Sequence, residues 1–130
     1  MTTETAPGSA AKILIVDDDR PLLQLLSKML ERGGYIPLAA ENAQDALELY
    51  RANRGEVPLV VTDLVMSGED GAQFVDELRK VDPKARILVS TGYHNEDDLA
   101  VIRRKGIEGI ILKPYQSAEL LKRVRELLAS

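Results

Sequence analysis

The sequence predicts an α/β fold, a doubly wound (βα)5 sandwich on a parallel five-stranded sheet in the order 2-1-3-4-5. Three observations carry this. Short β-branched or aliphatic runs alternate with amphipathic stretches at helical spacing along nearly the whole chain. The runs are unbroken rather than alternating with polar residues, as strands buried on both faces of a parallel sheet require. The 130 residues suit one domain, and 45% hydrophobic with 29% charged residues is a globular balance.

Taken in order, residues 1–10, with Pro7, Gly8 and Ser9, are expected to form a flexible tail or linker, and 11–130 the folded domain. The first strand is Ile13–Val16. The first helix has Pro21 in its opening turn and Leu22, Leu25, Leu26, Met29 and Leu30 on one face, and it stops at Gly33-Gly34. A weaker run, Tyr35–Ala39, contains Pro37, which has no N–H for a ladder and so belongs at a sheet edge. An edge second strand selects the order above, with its switch point between strands one and three.

The second helix opens at Asn42 and aligns Ala43, Ala46, Leu47 and Tyr50. Strand three is Leu59–Thr62, and the third helix runs from Gly71 to Val81 through Phe74, Val75 and Leu78. Strand four is Ile87–Ser90. The fourth helix takes Asn95 as N-cap, sets Glu96, Asp97 and Asp98 at its positive end and Arg103, Arg104 and Lys105 at its negative end, and stops at Gly106. Strand five is Ile107–Leu112. The fifth helix, Ser117 to Leu128, aligns Leu120, Leu121, Val124, Leu127 and Leu128.

Composition removes whole classes of function. Seventeen basic against 21 acidic residues give a net charge of −4, which lacks the basic footprint of a nucleic-acid surface. With no cysteine and a single histidine, His94, disulfides, thiol catalysis, Cys-ligated clusters and multi-histidine metal sites are excluded. No apolar run approaches the ~20 residues that cross a bilayer. The start, Met1 to Thr5 with Glu4, lacks the features of a signal peptide, so a cytoplasmic location is expected.

Ligands of such sheets bind beyond the carboxyl ends of the strands, at the switch point. Those ends carry Asp17-Asp18-Asp19, Asp63, Ser90-Thr91-Gly92 and Lys113-Pro114. Asp17, Asp18 and Asp63 are expected to converge, and three carboxylates cannot sit together ionised without counter-charge. Lys113 supplies one positive charge, and a hard divalent cation, best Mg²⁺, the rest. Carboxylates, a cation, the Thr91 hydroxyl and Lys113 around one point make a phosphoryl-transfer site. Asp63 is the expected nucleophile because it stands alone after its strand, facing the acidic cluster. Singly, each feature has a blander reading: Asp19 as a helix N-cap, Thr91 as a cap, Lys113-Pro114 as a loop. Their ordered combination points to chemistry.

The stretches Ile13-Leu14-Ile15-Val16-Asp17-Asp18-Asp19, Val60-Val61-Thr62-Asp63-Leu64-Val65-Met66, Asp70-Gly71, Val89-Ser90-Thr91-Gly92 and Lys113-Pro114-Tyr115 together resemble the receiver domain of two-component response regulators, from Lys12 to Leu128. The resemblance implies a flavodoxin-like fold and a signalling domain in a phosphorelay rather than an enzyme, beyond Mg²⁺-dependent self-phosphorylation and slow loss of the phosphoryl group. It implies Asp63 as phosphoacceptor from a histidine kinase or phosphotransfer protein. Mg²⁺ would be bound by Asp18 and Asp63, by Asp17 largely through water, and by the Val65 carbonyl. Thr91 would be the switch hydroxyl, Lys113 the phosphate partner, and Pro114 would follow a cis peptide.

The signalling surface would be helix four, strand five and helix five, including Leu99, Ile102 and Arg103–Lys105, facing a downstream effector or a cis-linked kinase domain. A monomer or weak dimer is expected, with no nucleic acid and no membrane insertion. No output domain is expected after the fifth helix. The Ser90–Tyr93 and Lys113–Tyr115 stretches look like C-terminal receivers of hybrid histidine kinases, the other context being a stand-alone receiver.

Two positions depart from the family pattern. Ser67, followed by Gly68, stands where proline is common, implying a more mobile loop. Ile110 stands where an aromatic residue couples to the threonine, and Tyr93 is either a partial substitute that shields the site or a surface tyrosine. His94 reads as a solvated loop residue, so the chain accepts phosphate and does not donate it. Two alternative readings fit the same residues. One is a small Mg²⁺-dependent phosphatase resembling the haloacid dehalogenase family, with Asp17 as nucleophile. The other is a degenerate receiver acting only as an interaction module. A flavin or dinucleotide binder is disfavoured, because no glycine-rich loop follows strand one.

Overall fold

Successive residues of a strand point to opposite faces of its sheet, so the unbroken apolar runs serve two helical layers at once. The structure, a computed structural model, describes residues 10–63, 65–66, 69–92 and 96–129. Five strands, β1 (Lys12–Val16), β2 (Ile36–Ala40), β3 (Leu59–Asp63), β4 (Ile87–Thr91) and β5 (Gly109–Leu112), form one parallel sheet in the order β2-β1-β3-β4-β5. Between and after them lie α1 (Arg20–Arg32), α2 (Ala43–Ala52), α3 (Gly71–Val81), α4 (Glu96–Arg104) and α5 (Ser117–Ala129).

Ile13, Ile15, Leu59, Val61, Leu88 and Ile111 bury one sheet face against Leu23, Leu26 and Leu30 of α1 and Leu120 and Val124 of α5. Leu14, Val16, Val60, Ile87 and Val89 bury the other against Ala46 and Tyr50 of α2, Phe74, Val75 and Leu78 of α3, and Leu99 and Ile102 of α4. The predicted architecture and strand order therefore hold, with Pro37 on the edge strand β2.

The helix ends obey local chemistry. Asp19 is the N-cap of α1, its carboxylate accepting the Leu22 N–H at 3.1 Å, and Asn42 caps α2 by accepting the Asp45 N–H at 2.8 Å. After α1, Gly34 takes φ +92°, a left-handed conformation that glycine adopts without penalty. Among the described residues no helix is long and apolar enough to cross a membrane.

Four expectations are corrected. Leu25, placed on the buried face of α1, is 55% exposed, because the sheet takes Leu23, Leu26 and Leu30 instead. Strand five begins at Gly109, not Ile107, its register with β4 opening at Leu88↔Gly109. Leu99 and Ile102, assigned to the signalling surface, are 3% and 1% exposed and belong to the core. The weak second run is shifted by one residue, since Tyr35 gives its N–H to the Leu30 carbonyl at the end of α1. The expectations for residues 1–9, Ser67, Gly68, Tyr93, His94 and the Asn95 cap lie outside the described residues.

At the sheet end remote from the aspartates, buried Tyr50 donates its hydroxyl to Asp82 at 2.7 Å, and Asp82 also accepts the Lys84 N–H at 2.9 Å. The two bonds hold the Asp82 carboxyl below the usual carboxylate range, while burial and the Asp82 charge push the Tyr50 hydroxyl up. A depressed folded-state pKa stabilises the fold above the ordinary carboxylate pKa, and that contribution is lost as pH falls through the folded value. Tyr50→Phe is therefore expected to cost about 1 kcal/mol at neutral pH. The gap from the unaltered protein should close as pH drops below about 4, as urea denaturation at two pH values would show.

Candidate functional site

Because parallel strands end at the same side of a sheet, the polar residues that follow β1, β3, β4 and β5 meet at one edge. β1 and β3 are neighbours, which brings Asp17, Asp18 and Asp63 together, with a carboxylate oxygen from each within 4.8 Å of the others. Asp17 and Asp63 are buried, whereas Asp18 is exposed. Lys113 reaches in from the end of β5 and donates its ammonium to Asp17 Oδ2 at 2.9 Å and Asp63 Oδ2 at 3.1 Å. Asp17 Oδ1 accepts the Asp19 N–H at 3.0 Å, so both oxygens of Asp17 are engaged.

One ammonium shared by two buried carboxylates does not fully offset the desolvation of Asp17. Burial pushes the Asp17 carboxyl above the usual range, against the lowering effects of the Asp19 N–H and Lys113. Burial also opposes the Lys113 charge, but its bonds to Asp17 and Asp63 outweigh that and raise its pKa, so the lysine stays charged. A site with excess negative charge and a fixed cation at its edge is ready to receive a further cation.

Thr91, 1% exposed, ends β4 opposite Leu112, and its carbonyl accepts the Lys113 N–H at 2.8 Å. The threonine and the lysine are thus joined through the backbone. The Lys113-Pro114 peptide is cis, as the resemblance implied. Asp63 is followed by a two-residue antiparallel ladder, Val65–Met66 with Glu69–Asp70, which leads directly into α3. Val65 therefore sits two residues past Asp63, with its backbone held by pairing to Asp70.

All the sequence-predicted site residues, Asp17, Asp18, Asp63, Val65, Thr91 and Lys113, lie at this end of the sheet. Two features have no role assigned from the sequence, although Ser90 is recognised there as a polar strand end. Ser90, 4% exposed, pairs across the sheet with Asp63, and its hydroxyl lies 3.5 Å from that of Tyr115. The register of β3 with β4 is the signal that would have placed Ser90 beside Asp63. The second is a cleft of about 410 Å³ beside Lys113, lined by exposed Leu25 with Leu22, Met29, Pro114 and Tyr115. Nothing local in the sequence pairs α1 with the segment after β5. Ile110 is partly buried against the core on the α2, α3 and α4 face of the sheet, in register with Val89 of β4.

Residues 13–125 match the family model described as the response regulator receiver domain. The chain is 37% identical over 110 residues to a response regulator receiver protein of Anaeromyxobacter sp., covering 85% of this chain and 45% of that protein. It is 30% identical over 121 residues to the chemotaxis protein CheY of Halobacterium salinarum, covering 93% of this chain and 99% of CheY. A crystal structure of a response regulator receiver domain protein from Clostridium thermocellum superposes with a TM-score of 0.85 at 25% identity, over 92% of this chain and 94% of that one. The chain thus spans under half of the first relative and nearly the whole of the second.

Proposed function

Since this chain belongs to the receiver-domain family of response regulators, we propose that Asp63 is its phosphoacceptor and that it takes the phosphoryl group from a phosphohistidine of a partner protein in the cytoplasm. The supporting observation is the shared ion pair: Lys113 bridges Asp63 and Asp17 beside Asp18, at the switch point. In the transfer a carboxylate oxygen of Asp63 forms the new bond to phosphorus, the phosphorus–nitrogen bond breaks, and the imidazole leaves with the electron pair and takes up a proton.

The donor set fits Mg²⁺, which favours a few hard carboxylate oxygens completed by water and phosphate. Asp18, Asp63 and the Val65 carbonyl would hold the ion, and Asp17, with both oxygens engaged, would act largely through water. When bound, the ion supplies positive charge against the phosphoryl oxygens. Lys113 then moves its bond from the Asp63 carboxylate to a phosphoryl oxygen, and the Thr91 hydroxyl donates to another. The phosphatase reading with Asp17 as nucleophile is not favoured, because the matching family is the response regulator receiver domain.

Phosphorylation adds charge and acceptor oxygens at the end of the sheet, drawing Thr91 and Lys113 inward. With Ile110 in place of a ring, coupling runs through the backbone bond from Lys113 to Thr91 and through the Thr91–Leu112 pairing. The surface changed is α4, β5 and α5, where Val101 and Leu112 are 48% and 45% exposed. The donor docks at the cleft beside Lys113, and Leu25→Asp is expected to slow transfer from a phosphohistidine protein about tenfold or more while leaving labelling by a small phosphodonor unchanged. The test of the whole reading is incubation with acetyl phosphate and Mg²⁺ followed by peptide mapping. One phosphoryl group on the peptide carrying Asp63 is the expected result, and a label on Asp17 with steady turnover of the donor would overturn it.

A further inference from the structure

Away from the carboxylate pocket, a second polar cluster ties the far end of α4 to α3. Lys105, just past α4, donates its ammonium to both oxygens of Asp76 on α3 at 2.9 Å. Arg79, one turn along α3, donates Nη1 to the Lys105 carbonyl at 3.2 Å and Nη2 to the Gly106 carbonyl at 3.0 Å. Its guanidinium also lies 3.7 Å from Glu108, whose carboxylate accepts the Ile87 N–H at 2.6 Å. The last carbonyls of a helix lack donors within the helix. Here α4 ends at Arg104, the chain turns at Gly106 with φ +75°, and the Arg79 fork supplies donors to the Lys105 and Gly106 carbonyls that follow its last turn.

The cluster differs from loose surface ion pairs. The Arg79 and Lys105 side chains are only 24% and 23% exposed. Arg79 Nε is buried with no hydrogen-bond partner, so the guanidinium is held where it satisfies the α4 end at the expense of one of its own donors. Glu108 extends the tie to the first residue of β4. The opposite end of α4 begins a few residues after Thr91, the switch hydroxyl of the proposed function.

We propose that Asp76, Arg79, Lys105 and Glu108 form a latch that pins the C-terminal end of α4 to α3, so that phosphorylation moves α4 as a pivot about that end. The inference rests on the receiver reading and specifies which part of its signalling surface changes. The half of α4 nearest Thr91 carries the rearrangement, and residues 102–108 stay in place. A pinned end also keeps Ile102, 1% exposed, seated in the core while the other end shifts.

The test is hydrogen exchange with and without beryllofluoride and Mg²⁺, in the unaltered protein, Asp76→Asn and Arg79→Gln. In the unaltered protein the change on adding beryllofluoride is expected within residues 91–99. In both variants it should spread through 102–108, with exchange there rising about threefold or more. Asp76 is 53% exposed, so its substitution leaves the core intact, and the swap Asp76→Lys with Lys105→Asp should restore confinement. A change across 102–108 already present in the unaltered protein, or identical patterns in all the proteins, overturns the latch. Absence of any response together with no acetyl phosphate label on Asp63 would bring down the receiver reading and the latch with it, and the labelling assay identifies that case.

Discussion

Asp63→Asn is expected to abolish phosphoryl uptake and, at the same time, to make the fold more stable. The amide keeps an oxygen for the Lys113 ammonium but has no charged oxygen to attack phosphorus. The label seen in intact-mass measurements with acetyl phosphate and Mg²⁺ should therefore vanish. The gain in stability follows from the charge balance. Asp17 and Asp63 are 4% and 8% exposed, share one ammonium, and have Asp18 beside them. Removing one of the like charges relieves a repulsion that only function requires, a gain of about 1 kcal/mol read from urea midpoints. Loss of the label with unchanged or lower stability would show that Lys113 already balances the pocket. A label that survives would move the nucleophile elsewhere.

The same charge balance explains how much of the site was legible in the sequence. A parallel sheet puts every strand end on one side, so once β1 and β3 were adjacent the convergence of Asp17, Asp18 and Asp63 followed. Adjacency itself hung on one residue, Pro37, whose missing N–H marked β2 as an edge. The burial of the runs was legible because both faces of each strand are apolar, and the two helical layers divide them by parity.

The misses share a cause. Helical periodicity marks a stripe but not its margins, and residues two apart on a helix lie about 200° around it. Leu25 thus faces away from Leu23, and only the packing against the sheet shows which of the two is buried. Leu99 and Ile102 were recognisable as apolar, but an apolar position on α4 serves the core before it serves a partner. The two-residue ladder after Asp63 is too short for any pattern. The Arg79 contacts join positions 26 and 27 residues apart through backbone carbonyls, for which no side-chain type is a signal.

Lys113→Met should have the opposite effect to Asp63→Asn, and a larger one. Methionine keeps the length and apolar stem of lysine, so the loss is that of the ammonium. It leaves the Asp17 and Asp63 side chains, 5% and 10% exposed, with no cation between them. Breaking a buried pair from one side strands the remaining charge, and the expected loss is about 3 kcal/mol at neutral pH. Two controls separate this from damage to packing. Adding Asp63→Asn to Lys113→Met should recover a large part of the loss, because the two changes act on one charge cluster and are not additive. Mg²⁺ should raise the melting temperature of Lys113→Met more than that of the unaltered protein, since the variant pocket has one positive charge fewer. That difference should disappear when Asp18→Ala removes the exposed carboxylate. A destabilisation that neither Asp63→Asn nor Mg²⁺ relieves would mean that Lys113 acts through its stem, which lines the cleft beside α1 with Pro114 and Tyr115. If both relieve it, the unphosphorylated pocket is an electrostatic standoff with Lys113 as its counter-charge, and the arrival of a phosphoryl group gives that lysine a stronger partner.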